Sequence, residues 1–117
     1  MTDRNVTFTR EQIAAYAEAS GDHNPIHLDE EFARTVGLPG VIAHGLLQMG
    51  IAAEVAAREA GGPNHLRHLF VRFAGMVEPG DTVTFAAKRD GGVRIGITAM
   101  NQKGEAVLTK AFAEYSE

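Results

Sequence analysis

The chain has 117 residues, the length of one ordinary domain, and we expect a single domain over residues 1–117. Hydrophobic residues make up 44% and charged residues 22%, as in globular proteins. The net charge of −4 argues against a nucleic-acid partner. With no cysteine, the chain has no disulfides, thiolate metal sites or cysteine nucleophiles, which fits a cytoplasmic protein.

The sequence predicts neither a signal peptide nor a membrane segment. The first ten residues are polar and contain no apolar core segment. The longest apolar stretch, residues 41–57, is interrupted by His44, Gln48 and Glu54. It is too short and too polar to span a bilayer.

The first elements in the chain are a short strand over Val6–Phe8 and a helix that begins after Thr9. Thr9 followed by Gln12 matches a capping box, in which each side chain bonds the backbone of the other residue. Ser20-Gly21 predicts the end of this helix, because glycine readily adopts the left-handed conformation of a helix C-terminus.

A loop and a second, short helix follow. Pro25 lacks an amide donor and disfavours helical geometry at Asn24, so the first helix does not continue here. Asp29 is a suitable N-cap for the second helix, with acidic residues in its first turn. We predict that this helix stops near Gly37.

A longer helix is predicted from about His44 to Ala60. It is apolar nearly all round, which is typical of a helix buried in a core. The Gly61-Gly62-Pro63 sequence terminates it. Its small residues either leave room for a ligand chain or allow close packing, and the sequence leaves both readings open; they are Ala52, Ala53, Ala56 and Ala57.

Beyond residue 65 the apolar period changes to two, which predicts four strands. Turn signals separate the strands, so we expect an antiparallel meander. Helices followed by such a sheet define an α+β fold. The alternating runs are Val71–Phe73, Thr82–Lys88, Val93–Thr98 and Leu108–Ala113.

The stretch from Ser20 to His27 has the residues for chemistry. Asp22 and His27 stand five positions apart across a loop that Pro25 restrains. A carboxylate and an imidazole that share one water can exchange its protons, and imidazoles titrate near neutral pH. The same residues also suit a simple turn with a partly buried structural histidine, because Asp and Asn both favour turns.

A second informative stretch runs from Val41 to Leu47 and contains Gly45. Gly45 falls in the first turn of the long helix, where its backbone N–H is free to face a ligand. A helix N-terminus stabilises negative charge, including that of a thioester enolate. Glycine here also suits close packing of the helix against the loop, and the two readings are compatible.

Together, these stretches resemble the MaoC-like dehydratase family, which includes the R-specific enoyl-CoA hydratases. The resemblance rests first on residues 16–27, with the core Asp-x-Asn-Pro-Ile-His at Asp22–His27, and on residues 42–46. Asp29, Phe32-Ala33, Val71-Arg72-Phe73 and residues 77–83 extend it, so that it runs from about residue 6 to the end.

The resemblance implies a hot-dog fold, in which a curved antiparallel sheet wraps a long central helix. It implies hydration of a trans-2-enoyl thioester to the (R)-3-hydroxyacyl thioester, or the reverse. Asp22 and His27 would hold the water, with His27 activating it and Asp22 supplying the proton at C2. Asn24 would order the loop, and the Gly45 amide would bind the thioester oxygen. Neither a metal nor a redox cofactor is implied, and coenzyme A enters only as part of the substrate.

The resemblance is incomplete at one position. Some R-hydratases carry a serine six residues beyond the histidine of the His-Gly pair, where this chain has Gly50. If that serine helps to orient the water, this chain lacks its help.

A homodimer is expected because a hot-dog sheet leaves an edge strand uncovered, and a heterodimer with a related subunit stays open.

Three other functions remain as alternatives. An acyl-carrier-protein substrate would need a basic surface to meet the acidic carrier; residues able to supply it, or to meet coenzyme A phosphates, are Arg67, Arg72, Lys88, Arg89 and Arg94. A thioesterase is the second, since one fold hosts several functions. A non-catalytic subunit that binds acyl thioesters is the third.

Overall fold

The computed structural model describes residues 2–116, apart from the side chain of Pro63. Met1 and Glu117, the ends of the predicted domain, lie outside the described residues. In chain order the elements are β1 (Thr2–Thr7), α1 (Arg10–Ser20), a 3₁₀ turn (Pro25–His27), α2 (Glu30–Thr35), α3 (Gly45–Glu59), a second 3₁₀ turn (Pro63–His65), β2 (Leu66–Phe73), β3 (Thr82–Arg89), β4 (Arg94–Met100) and β5 (Ala106–Tyr115).

The five strands form one sheet in the order β1-β3-β4-β5-β2, and every neighbouring pair is antiparallel. This confirms the α+β class. The predicted four-stranded meander is wrong at its start, because β2 pairs with β5 and not with β3. The segment from Ala74 to Asp81 is too long for a tight hairpin turn, so it can carry the chain across the sheet to a place beside β1.

The caps of the first two helices follow from local chemistry. Thr9 Oγ1 accepts the Gln12 amide at 3.0 Å, and Gly21 ends α1 in the left-handed conformation with φ 77°. The reciprocal half of the predicted capping box does not form, because Gln12 Oε1 has no hydrogen-bond partner among the described residues. Asp29 Oδ1 caps α2 by accepting the Phe32 amide at 3.0 Å, as predicted.

Helix α3 packs one face against the sheet. Ile51 and Val55 lie in the same buried cluster as Phe85 and Ile95, which come from β3 and β4. The expectation of a helix buried all round is wrong for the chain described here, since Leu46 is 66% exposed. A single sheet covers only one side of a helix. None of the described helices has the length and apolarity of a membrane span.

The small residues of α3 divide between two surroundings. Ala52 and Ala56 lie in the buried cluster that α3 forms with the sheet, so close packing explains them; Ala57 is also buried. Ala53 is only half-buried.

The two edge strands are longer than their apolar patterns suggested. β1 was predicted at Val6–Phe8 but runs over Thr2–Thr7 and pairs with β3 through its backbone. β2 was predicted at Val71–Phe73 but begins at Leu66. An edge strand exposes both faces in part, so the alternation that reveals a half-buried strand is weak there.

Candidate active site

The loop that carries Asp22 is shaped by side chain to main chain hydrogen bonds. Ser20 Oγ accepts the Asp22 amide at 3.2 Å, directly after Gly21 has turned the chain out of α1. Asp22 Oδ1 accepts the Asn24 amide at 3.2 Å. Asn24 Oδ1 accepts the Ile26 amide at 3.2 Å and so caps the 3₁₀ turn that ends at His27. Asn24 therefore orders this loop.

The loop brings the exposed Asp22 next to the buried His27. Asp22 Oδ2 lies 3.9 Å from His27 Nε2, and Asp22 is 47% exposed while His27 is only 8% exposed. His27 Nδ1 lies 2.8 Å from the carbonyl oxygen of Ile42. A carbonyl can only accept, so Nδ1 carries the proton of the neutral ring. The lone pair of Nε2 is then free on the side of the carboxylate.

His44 is a third member of this cluster. Its Nε2 donates to the main-chain oxygen of Asp22 at 3.1 Å, and its ring stacks on that of His27, with centroids 3.7 Å apart and planes inclined by 21°. The Tyr16 ring packs edge-on against the His44 ring, with centroids 4.8 Å apart. The sequence drew attention to the His-Gly pair for its glycine and missed the histidine. A polar residue inside the apolar run of 41–47 was the available signal.

The environment of His44 keeps its ring neutral. The His44 side chain is 1% exposed, and this burial is the largest cause of a pKa below the ordinary value. The bond to the Asp22 carbonyl raises the pKa, and the nearby His27 lowers it. Because Nε2 holds the proton, Nδ1 is the unprotonated nitrogen, and it has no hydrogen-bond partner among residues 2–116. His44 is therefore a buried, uncharged donor.

Residues 41–44, the anchoring segment, hold the loop in place. The Ile42 amide donates to the Ile26 carbonyl at 3.1 Å, while the Ile42 carbonyl accepts from His27. The Ala43 amide donates to the Val77 carbonyl at 2.8 Å, which ties the segment to the chain leading into β3. The loop and the start of α3 are thus fixed relative to each other.

Glu30 supports the beginning of this segment. Its Oε2 accepts the Val41 amide at 2.7 Å, and its Oε1 accepts from Arg10 Nη2 at 2.8 Å. Both hydrogen bonds lower the pKa of the Glu30 carboxyl, and the bond from the Val41 amide has the larger effect. A Cβ at Gly40 would lie only 2.9 Å from the Glu30 carboxylate, so a larger residue there would push this carboxylate away from its two partners.

Gly45 is the first residue of α3 and directly follows His44. A Cβ at this position would lie 3.0 to 3.4 Å from three carbons of the Phe73 ring. Close packing is therefore one reason for the glycine. A catalytic role of its amide stays a prediction, and the positive end of the α3 dipole lies at the same place.

The three side chains Asp22, His27 and His44 offer ligand atoms within 4.8 Å of one another. A metal binds in the plane of each imidazole, along its lone pair, at about 2.0–2.1 Å. Two nearly parallel rings 3.7 Å apart cannot both satisfy this condition for one ion. The arrangement fits a stacked pair better than a chelate, and the expectation that no metal is needed stays a prediction.

Two open clefts adjoin other parts of the fold. One, of about 360 Å³, is lined by Tyr16, Leu46, Leu47 and Gly50, among others. The second, of about 490 Å³, lies over β3 to β5 and includes Lys88 and Arg89. Neither cleft includes Asp22 or His27 in its described lining.

The predicted basic residues lie on strands β2 to β4, and three of them have defined contacts. Arg67 donates to the main-chain oxygens of Asn64 and Leu66, and Arg89 donates to that of Glu59. The Arg89 guanidinium stands 4.5 Å from the centre of the Tyr115 ring, and that of Arg94 stands 4.0 Å from the centre of Phe112. An anionic partner would therefore compete with aromatic contacts at both arginines.

This fold and this loop define a MaoC-like domain: the family model described as "MaoC like domain" matches residues 1–111, and the chain belongs to that family. Among solved structures, an R-hydratase from Pseudomonas aeruginosa superposes with a TM-score of 0.81 at 26% identity, over 97% of this chain and 76% of that one. A MaoC-like dehydratase from Phytophthora capsici gives a TM-score of 0.88 at 25% identity, over 98% of this chain and 40% of that one. These similarities confirm the hot-dog fold.

Curated relatives include parts of larger enzymes. The chain is 36% identical to the peroxisomal hydratase-dehydrogenase-epimerase of Neurospora crassa, over 93% of this chain but 12% of that protein. It is 32% identical to the peroxisomal enoyl-CoA hydratase 2 of Arabidopsis thaliana, over 86% of this chain and 33% of that protein. The chain thus spans a minor part of each of these relatives.

Proposed function

We propose that this protein is a hydratase/dehydratase that interconverts trans-2-enoyl-CoA and (R)-3-hydroxyacyl-CoA. The observation that carries the proposal is the pairing of Asp22 Oδ2 with the unprotonated Nε2 of His27 at 3.9 Å. That separation is too long for a direct hydrogen bond, but a single water can contact both atoms. The names of the relatives, which include an enoyl-CoA hydratase and an R-hydratase, support the same reaction.

In the hydration direction, His27 acts as the general base. Its Nε2 takes one proton from the water as the water oxygen bonds to C3 of the enoyl group, and the C2–C3 double bond shifts its electrons toward the thioester carbonyl. Asp22 receives this proton from His27 and delivers it to C2, so that the pair is restored and the net change is the addition of one water. General acid–base catalysis of this kind contributes about 10²- to 10⁴-fold to a rate.

The charge that develops on the thioester oxygen needs a donor, and Gly45 supplies it in this proposal. Its amide is at the N-terminus of α3, the longest described helix, where the backbone N–H groups lack partners within the helix. His44, which contacts the loop of Asp22, is adjacent to Gly45 in the chain. The donor and the acid–base pair are therefore held by one short, well-anchored stretch.

A homodimer is part of the proposal. β1 and β2 are the two edges of the sheet, and they differ in character. β1 is largely polar, whereas β2 exposes Phe70 and Phe73, at 45% and 50%. An exposed apolar edge strand is a ready surface for pairing with another chain. Because Phe73 contacts Gly45, a second copy on β2 would also cover the site, and a related but different subunit could do the same.

The identity of the acyl carrier and the location of the protein are also proposals. Coenzyme A is favoured over a carrier protein by the name of the Arabidopsis thaliana relative, an enoyl-CoA hydratase. The predicted cytoplasmic location stays a prediction, since the two curated relatives described above are peroxisomal by name.

The test is hydration of crotonyl-CoA by the purified protein, followed by the loss of enoyl absorbance and by chiral analysis of the product. The proposal predicts the (R)-alcohol. Because the chain has no cysteine, a thiol reagent added to the same reaction reports only free coenzyme A, so thioester hydrolysis is measured separately. Release of coenzyme A without hydration would establish a thioesterase instead. Binding of crotonyl-CoA without either product, repeated with longer acyl chains and a carrier-linked substrate, would establish a non-catalytic subunit.

A further inference from the structure

We infer that His44 is a positioning residue for the reaction: it holds the main chain of Asp22 with one side of its ring and fixes the imidazole of His27 with its face. The inference rests on the proposed function, because it assigns His44 a part in the same site. His44 need not touch the substrate. It acts through the two groups that do.

The first contact fixes the main chain at Asp22. Within the loop, Asp22 is otherwise held by bonds to near neighbours in the chain, Ser20 and Asn24. The bond from His44 Nε2 to the Asp22 carbonyl joins residues 22 positions apart. It therefore ties the loop to the start of α3, which short-range bonds cannot do.

The second contact fixes the ring of His27. The bond from Nδ1 to the Ile42 carbonyl sets the direction of the ring within its plane, and the stack on His44 at 3.7 Å sets the plane itself. Rotation of the His27 ring would break both contacts. With the plane and the direction fixed, Nε2 keeps facing the Asp22 carboxylate.

A neutral His44 suits this role. A protonated ring stacked on His27 would repel it each time His27 takes up a proton. The titratable groups that face His44 are Tyr16 from α1, Asp22 from the loop and His27 from the 3₁₀ turn. Burial of His44, which lowers its pKa, works in the same direction as the stack.

The test compares two substitutions that separate the contacts. His44→Phe keeps an aromatic face against His27 but removes the donor to Asp22, whereas His44→Gln keeps an N–H donor but removes the ring. His68→Phe is the matched control, because His68 is exposed on β2 and contacts Phe112 rather than the site. A displacement of about 1 Å in a catalytic group costs about 100-fold in rate.

We expect His44→Phe to lower kcat by about 100-fold, with KM changed by less than about 3-fold. His44→Gln should lower kcat by only about 10-fold, since the donor is retained. The control should keep the kcat of the wild type. A residue with a structural role only would lower the melting temperature and leave kcat per folded molecule unchanged. That result for His44→Phe would overturn the inference.

Nitrogen NMR of the wild-type imidazoles tests the contacts without relying on a variant that folds. We expect His44 as the neutral Nε2–H tautomer at a pH where exposed histidines, with a pKa of about 6.5, are already protonated. A Nδ1–H tautomer, or protonation at the same pH as a free imidazole, would overturn the inference. Wild-type turnover keeps the two claims apart: an inactive wild type with the expected NMR spectrum refutes the proposed function and not the contacts of His44.

Discussion

Substitution of Gly45 by alanine tests whether the start of α3 is part of the site. The added Cβ would lie 3.0 Å from Phe73 Cζ, whereas carbon atoms pack at about 3.5–4.0 Å, so the ring has to move by about 0.5 Å or more. Phe73 is half-exposed and can move outward. Alanine also favours a helix by about 1 kcal/mol over glycine, and this offsets the contact. We expect the free energy of unfolding to change by less than about 1 kcal/mol.

Activity should respond much more than stability. A methyl group next to the Gly45 amide obstructs approach of the thioester oxygen, and loss of one oxyanion donor costs about 10²- to 10³-fold in kcat. The assay is the steady-state hydration of crotonyl-CoA, with unfolding followed by circular dichroism. Gly96→Ala is the matched control: it lies on β4, a Cβ there meets nothing closer than 3.9 Å, and kcat should not change.

The double variant Gly45→Ala/Phe73→Leu separates two causes of the loss. If the shifted Phe73 ring lowers the activity, the smaller leucine restores it; if the methyl blocks the thioester, it does not. Wild-type kcat/KM in a folded Gly45→Ala protein would refute the assignment of the Gly45 amide to the thioester oxygen.

Three further predictions concern the acid–base pair and its supports. His27→Ala should lower kcat by about 10²- to 10⁴-fold in a protein whose circular dichroism is unchanged; activity close to that of the wild type would remove His27 from the mechanism. Glu30→Gln should lower the melting temperature at neutral pH, because the pKa of Glu30 is lowered in the folded protein and its ionised carboxylate stabilises the fold above pH 4.5, the ordinary pKa of glutamate. The difference in melting temperature from the wild type should shrink as the pH falls below 4.5. An equal difference at all pH values would contradict this. Because the pKa of His44 is lowered in the folded protein, its contribution to stability is complete above about pH 6.5 and is lost as the pH falls through the folded-state pKa. Between about pH 7.5 and pH 5, the melting temperature of the wild type should therefore fall more steeply than that of His44→Phe. Parallel curves would show that His44 is not buried as a neutral ring.

Much of the fold follows from short-range chemistry that the sequence displays. Thr9 and Asp29 cap their helices through bonds to the third residue beyond them, and such bonds need no tertiary context. The alternating patterns of β3 and β4 are clear because one face of each strand is buried in the core. The same holds for the loop, where Asn24 and Pro25 determine the turn that brings His27 near Asp22.

The parts that the sequence did not predict depend on long-range contacts. β2 lies beside β5 because the segment after Phe73 crosses the sheet, and no local pattern encodes that choice. His44 reaches Asp22 across 22 positions, so its role becomes visible only when the loop and α3 are placed together. The contact of Phe73 with Gly45 is of the same kind.

The central claim is that Asp22 and His27 together add water to an enoyl thioester. The most direct measurement is kcat for crotonyl-CoA hydration by Asp22→Asn, which keeps the size of the side chain and its bond to the Asn24 amide but removes the acid, beside Asp3→Asn on the exposed edge of β1 as the control. The account predicts a loss of about 10²-fold or more for Asp22→Asn and none for the control. A folded Asp22→Asn protein that hydrates crotonyl-CoA at the wild-type rate would contradict it.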